Sequence, residues 1–253
     1  MTQPLANSSQ LFSRTVVFGS AATTLSLGLL VFAPLGYRLE FFSLEFALLV
    51  LFGLGVVIGL ISIAVSLTGL FRTVKRLPSS QRDLWLSIPS VVIGFGLLSI
   101  PASFVLGASA PPIHDITTDM VNPPQFLSVV PLHTPNRTVY EGETISSQQR
   151  HAYPDIQPTI LELPPNVAFD HALATVHEMG WLLVDAEPTT GRIEATDTTF
   201  WFGFKDDLAI RITPVEDGAR IDVRSLSRVG VGDLGANAKR IRRYMTALVS
   251  LQK

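Results

Sequence analysis

The chain has 253 residues, of which 47% are hydrophobic and only 16% are charged, and its mean hydropathy is +0.36. Soluble domains average about 25% charged residues, so long apolar segments must dilute this composition. The formal net charge is −2 and there is no cysteine, which excludes disulfides, thiolate metal sites and cysteine nucleophiles.

Three apolar segments near the N-terminus explain the composition. Residues 15–33, 46–71 and 84–106 carry no charge over 19, 26 and 23 residues. Each reaches the roughly 20 residues that a helix needs to cross about 30 Å of hydrocarbon. We therefore predict a membrane region over residues 1–106 with three transmembrane helices. A secretory signal explains the first segment less well, because no small-x-small cleavage pattern follows it and two further spans come after it.

The charges between the apolar segments predict the orientation in the membrane. The second connection, residues 72–83, contains four basic residues, whereas the first, residues 34–45, carries Arg38 against Glu40 and Glu45. Connections rich in Lys and Arg stay in the cytoplasm. We expect a multi-pass protein of a bacterial inner membrane, with a cytoplasmic N-terminus and a periplasmic or extracellular C-terminal domain.

A pair of glycines, Gly55 and Gly59, lies in the second apolar segment at a spacing of four residues. Small residues at this spacing let helices approach closely. The pair could form a dimerisation face, or it could serve packing among the three helices of the same chain. The second interpretation is the simpler one.

Residues 107–158 form a different kind of segment. Ten of the 17 prolines lie between Pro111 and Pro165, which indicates extended, irregular chain. Apolar residues such as Phe126 and Tyr140 are scattered through this segment, and they favour a wrap around a domain over a free stalk.

A regular pattern begins at Thr159 and continues to the C-terminus. Its periodicities predict a short strand, a helix, four strands and a final helix. The fold class is therefore a membrane-embedded α-helical region followed by an α+β domain, residues 159–253, in which two helices lie on one face of an antiparallel sheet. After residue 107 there are 13 basic and 18 acidic residues, so the domain is not expected to bind nucleic acid.

The most distinctive part of this domain is the run from Arg220 to Arg243. An alternating strand is followed by a glycine-rich corner, and then by a helix whose predicted N-cap is Asp233. We expect the strand to bury Val223 and Ser225 under that helix and to turn Arg224 and Arg228 outward.

The polar residues of this run admit two interpretations. They could form a receptor for a carboxylate or phosphate group. Alternatively, the arginines could pair across the sheet with acidic residues such as Asp207 on the neighbouring strand. The candidate binding residues are Arg224, Arg228, Arg240, Asp233, Asn237 and Asp207.

Two other groups of residues are candidate sites. His114, Asp115 and Asp119 form a histidine–carboxylate cluster, but no second histidine follows at ligand spacing, and we expect no metal and no cofactor. Four aromatic residues occur between Phe200 and Phe204, and an alternating strand would place Trp201 on the opposite face from Phe200, Phe202 and Phe204. One face is core, and the other could meet the wrap, the bilayer interface or a ligand.

Six motifs give the C-terminal part of the chain a resemblance to a known family. They are His114–Asp119 (HDITTD), Asn122–Phe126 (NPPQF), Tyr153–Ile156 (YPDI), Gly191–Ala195 (GRIEA), Phe202–Asp207 (FGFKDD) and Arg224–Asn237 (RSLSRVGVGDLGAN). From about Pro111 onward the chain resembles the uncharacterised bacterial family known as domain of unknown function 1499. The resemblance implies a small α+β domain of the cell envelope, and it implies no established reaction, cofactor or ligand.

The sequence favours a non-enzymatic binding or scaffolding module that is anchored in the lipid bilayer and has a possible protein partner in the envelope. One alternative is a binding protein for a small anionic or lipidic ligand. A second alternative is an unrecognised hydrolase, although the nucleophile-elbow, phosphate-loop and dinucleotide-binding motifs do not occur in the sequence.

Overall fold

The computed structural model describes residues 12–75, 81–107, 109–133 and 138–250, and the chain divides into two compact units, Met1–Val105 and Leu106–Lys253. The first unit is helical. It contains α1 (Arg14–Arg38), a π-helical segment (Phe46–Phe52) that continues into α2 (Gly53–Lys75), and α3, which runs from Gln81 to Gly107. By length and composition all three helices could cross a membrane, as the sequence predicts.

The two glycines of α2 serve packing inside this unit. The hydroxyl of Ser26 on α1 donates a 2.7 Å hydrogen bond to the carbonyl of Gly55. A Cβ at Gly59 would lie only 2.9 Å from the Ser26 hydroxyl oxygen, so a larger residue there would require that side chain to move. The observed contacts therefore agree with the interpretation of packing among the chain's own helices.

The second unit is built on a six-stranded antiparallel sheet. Its strands are β1 (Asp115–Thr117), β2 (Thr159–Leu161), β3 (Leu182–Glu187), β4 (Arg192–Thr198), β5 (Lys205–Val215) and β6 (Gly218–Ser227). The spatial order is β1-β6-β5-β4-β3, and β2 pairs with β6 further along the edge that β1 occupies. From β2 onward the order of strand, helix, four strands and helix matches the one that the sequence predicts.

One face of the sheet is covered by two helices, α5 (Pro165–Glu178) and α6 (Ala236–Ser250). Their apolar stripes pack on the inward residues of the strands, among them Ile210 and Val223, which are fully buried. The ring of Tyr244 on α6 stacks on Trp181 at a centroid distance of 5.4 Å. This face forms the main hydrophobic core.

The opposite face is covered by the Pro-rich segment. Phe126 and Val129 of that segment pack against Ala209 of β5 and Leu226 of β6 in a second, smaller core. The segment is not wholly irregular, because it also forms β1, a 3₁₀ turn (Val130–Leu132) and a helix, α4 (Glu143–Ala152). The sheet is thus enclosed on both faces, and we call residues 118–133 the wrap.

Candidate functional site

Both faces of β6 are buried, and this decides where the candidate residues lie. The expectation that Arg224 points outward into solvent is wrong, because its side chain is 0% exposed. The alternation along the strand is as the sequence predicts, but the face that carries the arginine meets the wrap instead of water. A charged residue in such a position must be paired or it would destabilise the fold.

Arg224 is paired with Asp115 of β1. Its Nε and Nη2 atoms donate hydrogen bonds of 2.9 and 2.7 Å to the two carboxylate oxygens, which is the bidentate geometry that suits a guanidinium. The same side chain donates to the carbonyls of Pro124 and Thr138. The ring of Phe126 covers the guanidinium at 4.8 Å. Arg224 therefore ties the sheet to several separate stretches of the Pro-rich segment.

Asp207 of β5 accepts hydrogen bonds from three side chains on the same face. Arg228 donates to both carboxylate oxygens at 2.7 and 2.8 Å, Thr196 donates at 2.6 Å, and Nε2 of His133 lies 2.5 Å away. Burial raises the pKa of Asp207, but the hydrogen bonds from Arg228, His133 and Thr196 outweigh it and lower the pKa to about 2. The predicted pairing of Arg228 with Asp207 is present, and His133 at the end of the wrap joins it.

Arg240 lies on the other face of the sheet, under α6. It donates to Asp197 at 2.7 Å and to Asp206 at 2.6 Å, and also to the side-chain oxygen of Asn237. Asn237 in turn accepts a 2.6 Å hydrogen bond from Ser225. These residues hold α6 against the ends of β4, β5 and β6.

Asp233 caps α6 from outside the helix. Its two carboxylate oxygens accept the backbone N–H groups of Gly235 at 2.8 Å and of Asn237 at 2.7 Å. These donors would otherwise be unsatisfied at the start of the helix. Burial raises the pKa of Asp233, and the two backbone hydrogen bonds oppose that rise. The capping role that the sequence predicts for Asp233 is therefore observed.

The six candidate residues do not form one receptor. Arg224 and Arg228 lie on the face covered by the wrap, whereas Arg240 lies on the helix face, with the sheet between them. Each guanidinium already donates to at least one carboxylate of the same unit. An anion could not contact all three arginines at once.

Sequence reasoning missed the residue that fastens the wrap. The buried carboxylate of Glu194 accepts backbone N–H groups from three consecutive residues, Leu127, Ser128 and Val129, at about 2.9 Å each. Glu194 lies within the GRIEA motif, and its position on a strand next to a buried isoleucine was the signal available.

Gln149 of α4 was also missed. Its side-chain amide forms hydrogen bonds with both the N–H and the carbonyl of Thr117, and so it covers the edge of β1.

The histidine–carboxylate cluster does not converge on a common point. Nδ1 of His114 lies 3.4 Å from the carbonyl of Val231, while Asp115 is bonded to Arg224. Asp119 accepts hydrogen bonds from the backbone N–H groups of Val121 and Asn122 and from two arginines of the sheet, Arg211 and Arg220. Within the described ranges, no three histidine or acidic residues are arranged to hold a metal ion.

A surface pocket of about 250 Å³ lies where the wrap crosses the β3–β4 hairpin beside β5. Its wall combines apolar and polar side chains: Pro124, Gln125, Leu127, Glu187, Thr190, Arg192, Ile210 and Arg211. Arg192 donates to Asp185 and Glu194, and Arg211 donates to Asp119 and Asp222. The positive charge of the pocket is therefore compensated by neighbouring carboxylates.

Comparison with known proteins adds one finding. A family model described as "Protein of unknown function (DUF1499)" matches residues 115–248, which covers the sheet, α4, α5 and most of α6. No curated protein matches the chain.

Proposed function

The chain belongs to the DUF1499 family, and we propose that it is a membrane-anchored module of the bacterial cell envelope, whose α+β unit lies outside the cytoplasm and binds a partner without catalysing a reaction. The anchor is the set of three helices that are long and apolar enough to span a membrane. The orientation rests on the basic residues between the second and third helices, which favour a cytoplasmic position for that connection.

The observation that carries the proposal is that arginines of the run from Arg220 to Arg243 form ion pairs inside the domain. Arg224, Arg228 and Arg240 are all engaged with carboxylates of the same unit. A catalytic or ligand-binding arginine needs donors that face an accessible space. Here the donors hold the wrap and α6 against the sheet. These arginines therefore stabilise a scaffold that presents surface loops.

The pocket beside the wrap is the best candidate for partner contact. It brings together apolar side chains such as Leu127 with the polar groups of Thr190 and Gln125, a mixture that suits a polypeptide partner. A small anionic ligand is less well supported, because Arg192 and Arg211 are each neutralised by two carboxylates. A hydrolase is also less well supported: the described hydrogen bonds of His114 and His133 go to a carbonyl and to a carboxylate.

Site-specific photocrosslinking in cells tests the proposal. A photoreactive amino acid would replace Thr190 at the pocket rim, and the matched control would replace Thr246, an exposed residue of α6. We expect a discrete protein adduct at position 190 that does not form at position 246. Adducts of equal yield at both positions, or none at position 190, would contradict binding through this pocket.

A further inference from the structure

Three loops lie together at one end of the sheet, and we call this end the tether end. They are the segment before β1 (residues 109–114), the β4–β5 loop (199–204) and the glycine-rich corner (228–235). The corner is fixed to the first segment, since the N–H of Asp233 donates to the carbonyl of Ile113, and a Cβ at Gly232 would lie 3.1 Å from Cα of Pro112. The backbone N–H of Arg228 donates to Lys205, which follows the β4–β5 loop.

The covalent chain keeps this end close to the apolar helix α3. Ala110 follows Gly107, the last residue of α3, by three residues. A chain extends at most about 3.6 Å per residue, so Ala110 lies within roughly 11 Å of the end of that helix. If α3 spans a bilayer, the tether end cannot be far from the membrane surface.

The same end exposes apolar side chains that the domain does not bury. Phe200 is 86% exposed, Val231 is 78% exposed and Leu234 is partly exposed, while Trp201 is half-buried beside Phe200. Trp is enriched at the level of the lipid headgroups, and exposed apolar side chains such as Phe200 and Val231 gain by leaving water for the bilayer. The run is not an alternating strand, and the expectation that Phe200 and Phe202 share one face is wrong: Phe202 is buried, whereas Phe200 faces outward.

The exposed charges also differ between the two ends of the sheet, and the difference favours contact of the tether end with a membrane. Asp233 is the one acidic residue in these three loops, and its carboxylate is bonded to two backbone N–H groups. Two exposed lysines, Lys205 and Lys239, flank the loops, and the acidic residues beside the β4–β5 loop, Asp197 and Asp206, are both bonded to Arg240. At the opposite end of the sheet the exposed charges are acidic, namely Glu162, Glu216 and Asp217. A bilayer that contains anionic lipid attracts the first end and repels the second.

We propose that the tether end is a lipid-contact surface, in which Phe200, Trp201, Val231 and Leu234 enter the headgroup region of the bilayer and Lys205 and Lys239 contact anionic lipid. The pocket described above lies at the opposite end of the sheet, so the two surfaces do not overlap. The proposal depends on the helices spanning a bilayer, but not on which side of it the domain lies.

The absence of cysteine permits a direct test on the full chain. The V231C and D217C variants would each carry one environment-sensitive fluorophore, in vesicles of neutral lipid with or without anionic lipid. D217C is the matched control, because it lies in the exposed turn at the opposite end of the sheet. We expect nitroxide-labelled lipid to quench the label at position 231 several-fold more than the label at position 217. Iodide in the aqueous phase should show the reverse order.

Two further arms separate the lipid surface from other partners. K205E combined with K239E should reduce lipid quenching at position 231 in anionic vesicles and leave it nearly unchanged in neutral ones. The measurement would be repeated in nanodiscs that hold a single chain. Protection from iodide that requires two chains per disc would assign the surface to self-association and overturn the proposal. Equal quenching of the labels at positions 231 and 217 would also overturn it. Either outcome would leave the proposed partner binding untouched, since its test uses the pocket.

Discussion

Replacement of Arg224 by methionine tests the role of the buried ion pair most severely. Methionine fills much of the same volume, but it leaves the Asp115 carboxylate buried without its cation and removes the donors to Pro124 and Thr138. Removing one partner from a buried pair costs about 3–5 kcal/mol. We therefore expect the α+β unit of Arg224→Met to lose that amount of stability.

Hydrogen–deuterium exchange of the full chain in nanodiscs provides the measurement. Peptides from β5 and β6 should exchange about two to four orders of magnitude faster in the variant, since each factor of ten corresponds to about 1.4 kcal/mol. Arg243→Met is the matched control, because Arg243 is exposed on α6, and its effect should stay within about 0.5 kcal/mol.

A second substitution separates the lost pair from lost packing. Burial raises the pKa of Asp115, and Arg224 opposes that rise. In Arg224→Met the carboxyl group should therefore take up a proton, and the variant should regain stability as the pH falls from neutrality. Adding Asp115→Asn should restore at least half of the loss at neutral pH. If Arg224→Met and Arg243→Met exchange alike, Arg224 is not the brace described above.

Three further predictions concern the cap, the wrap and the acidic pH range. Asp233→Ala should cost about 1 kcal/mol and speed exchange in the first turn of α6, because two backbone N–H groups lose their acceptor; unchanged exchange there would exclude the capping role. Glu194→Gln should release residues 127–129 and make the wrap sensitive to limited proteolysis while β5 and β6 stay protected; a cleavage rate equal to that of the unmodified chain would contradict the role of this carboxylate. Asp207, whose pKa is lowered to about 2, stabilises the fold fully above about pH 4 and loses that contribution as the pH falls toward 2, which amounts to about 2 kcal/mol. In urea titrations at a series of pH values, Asp207→Asn should remove this part of the loss of unfolding free energy below about pH 4. An unchanged loss in that pH range would show that Asp207 is not its source.

Much of the architecture could be predicted because it depends on local periodicity. The three apolar helices and the order of elements from Thr159 onward follow from the repeat of hydrophobic residues along the chain. The capping by Asp233 was also predictable. A carboxylate between a glycine-rich corner and an amphipathic helix can accept the unpaired backbone N–H groups at the start of that helix.

The placement of Arg224 could not be predicted from the same information. An arginine that alternates with apolar residues is typical of a solvent-facing position, and its partner Asp115 is 109 residues away in the chain. Only the packing of the wrap turns that face into an interior. The helix α4 was missed because it lies in the Pro-rich segment, whose prolines indicate extended chain, and because Ile145 is its one strongly apolar buried residue.

The central claim is that the α+β unit lies outside the cytoplasm. A pair of reporter fusions tests this claim most directly. Alkaline phosphatase, which is active only outside the cytoplasm, would be fused after Lys253 in one protein and within residues 72–83, between the second and third helices, in the other. We expect high activity for the fusion after Lys253 and background activity for the fusion between the helices. The opposite pattern would place the domain in the cytoplasm and contradict the proposed function.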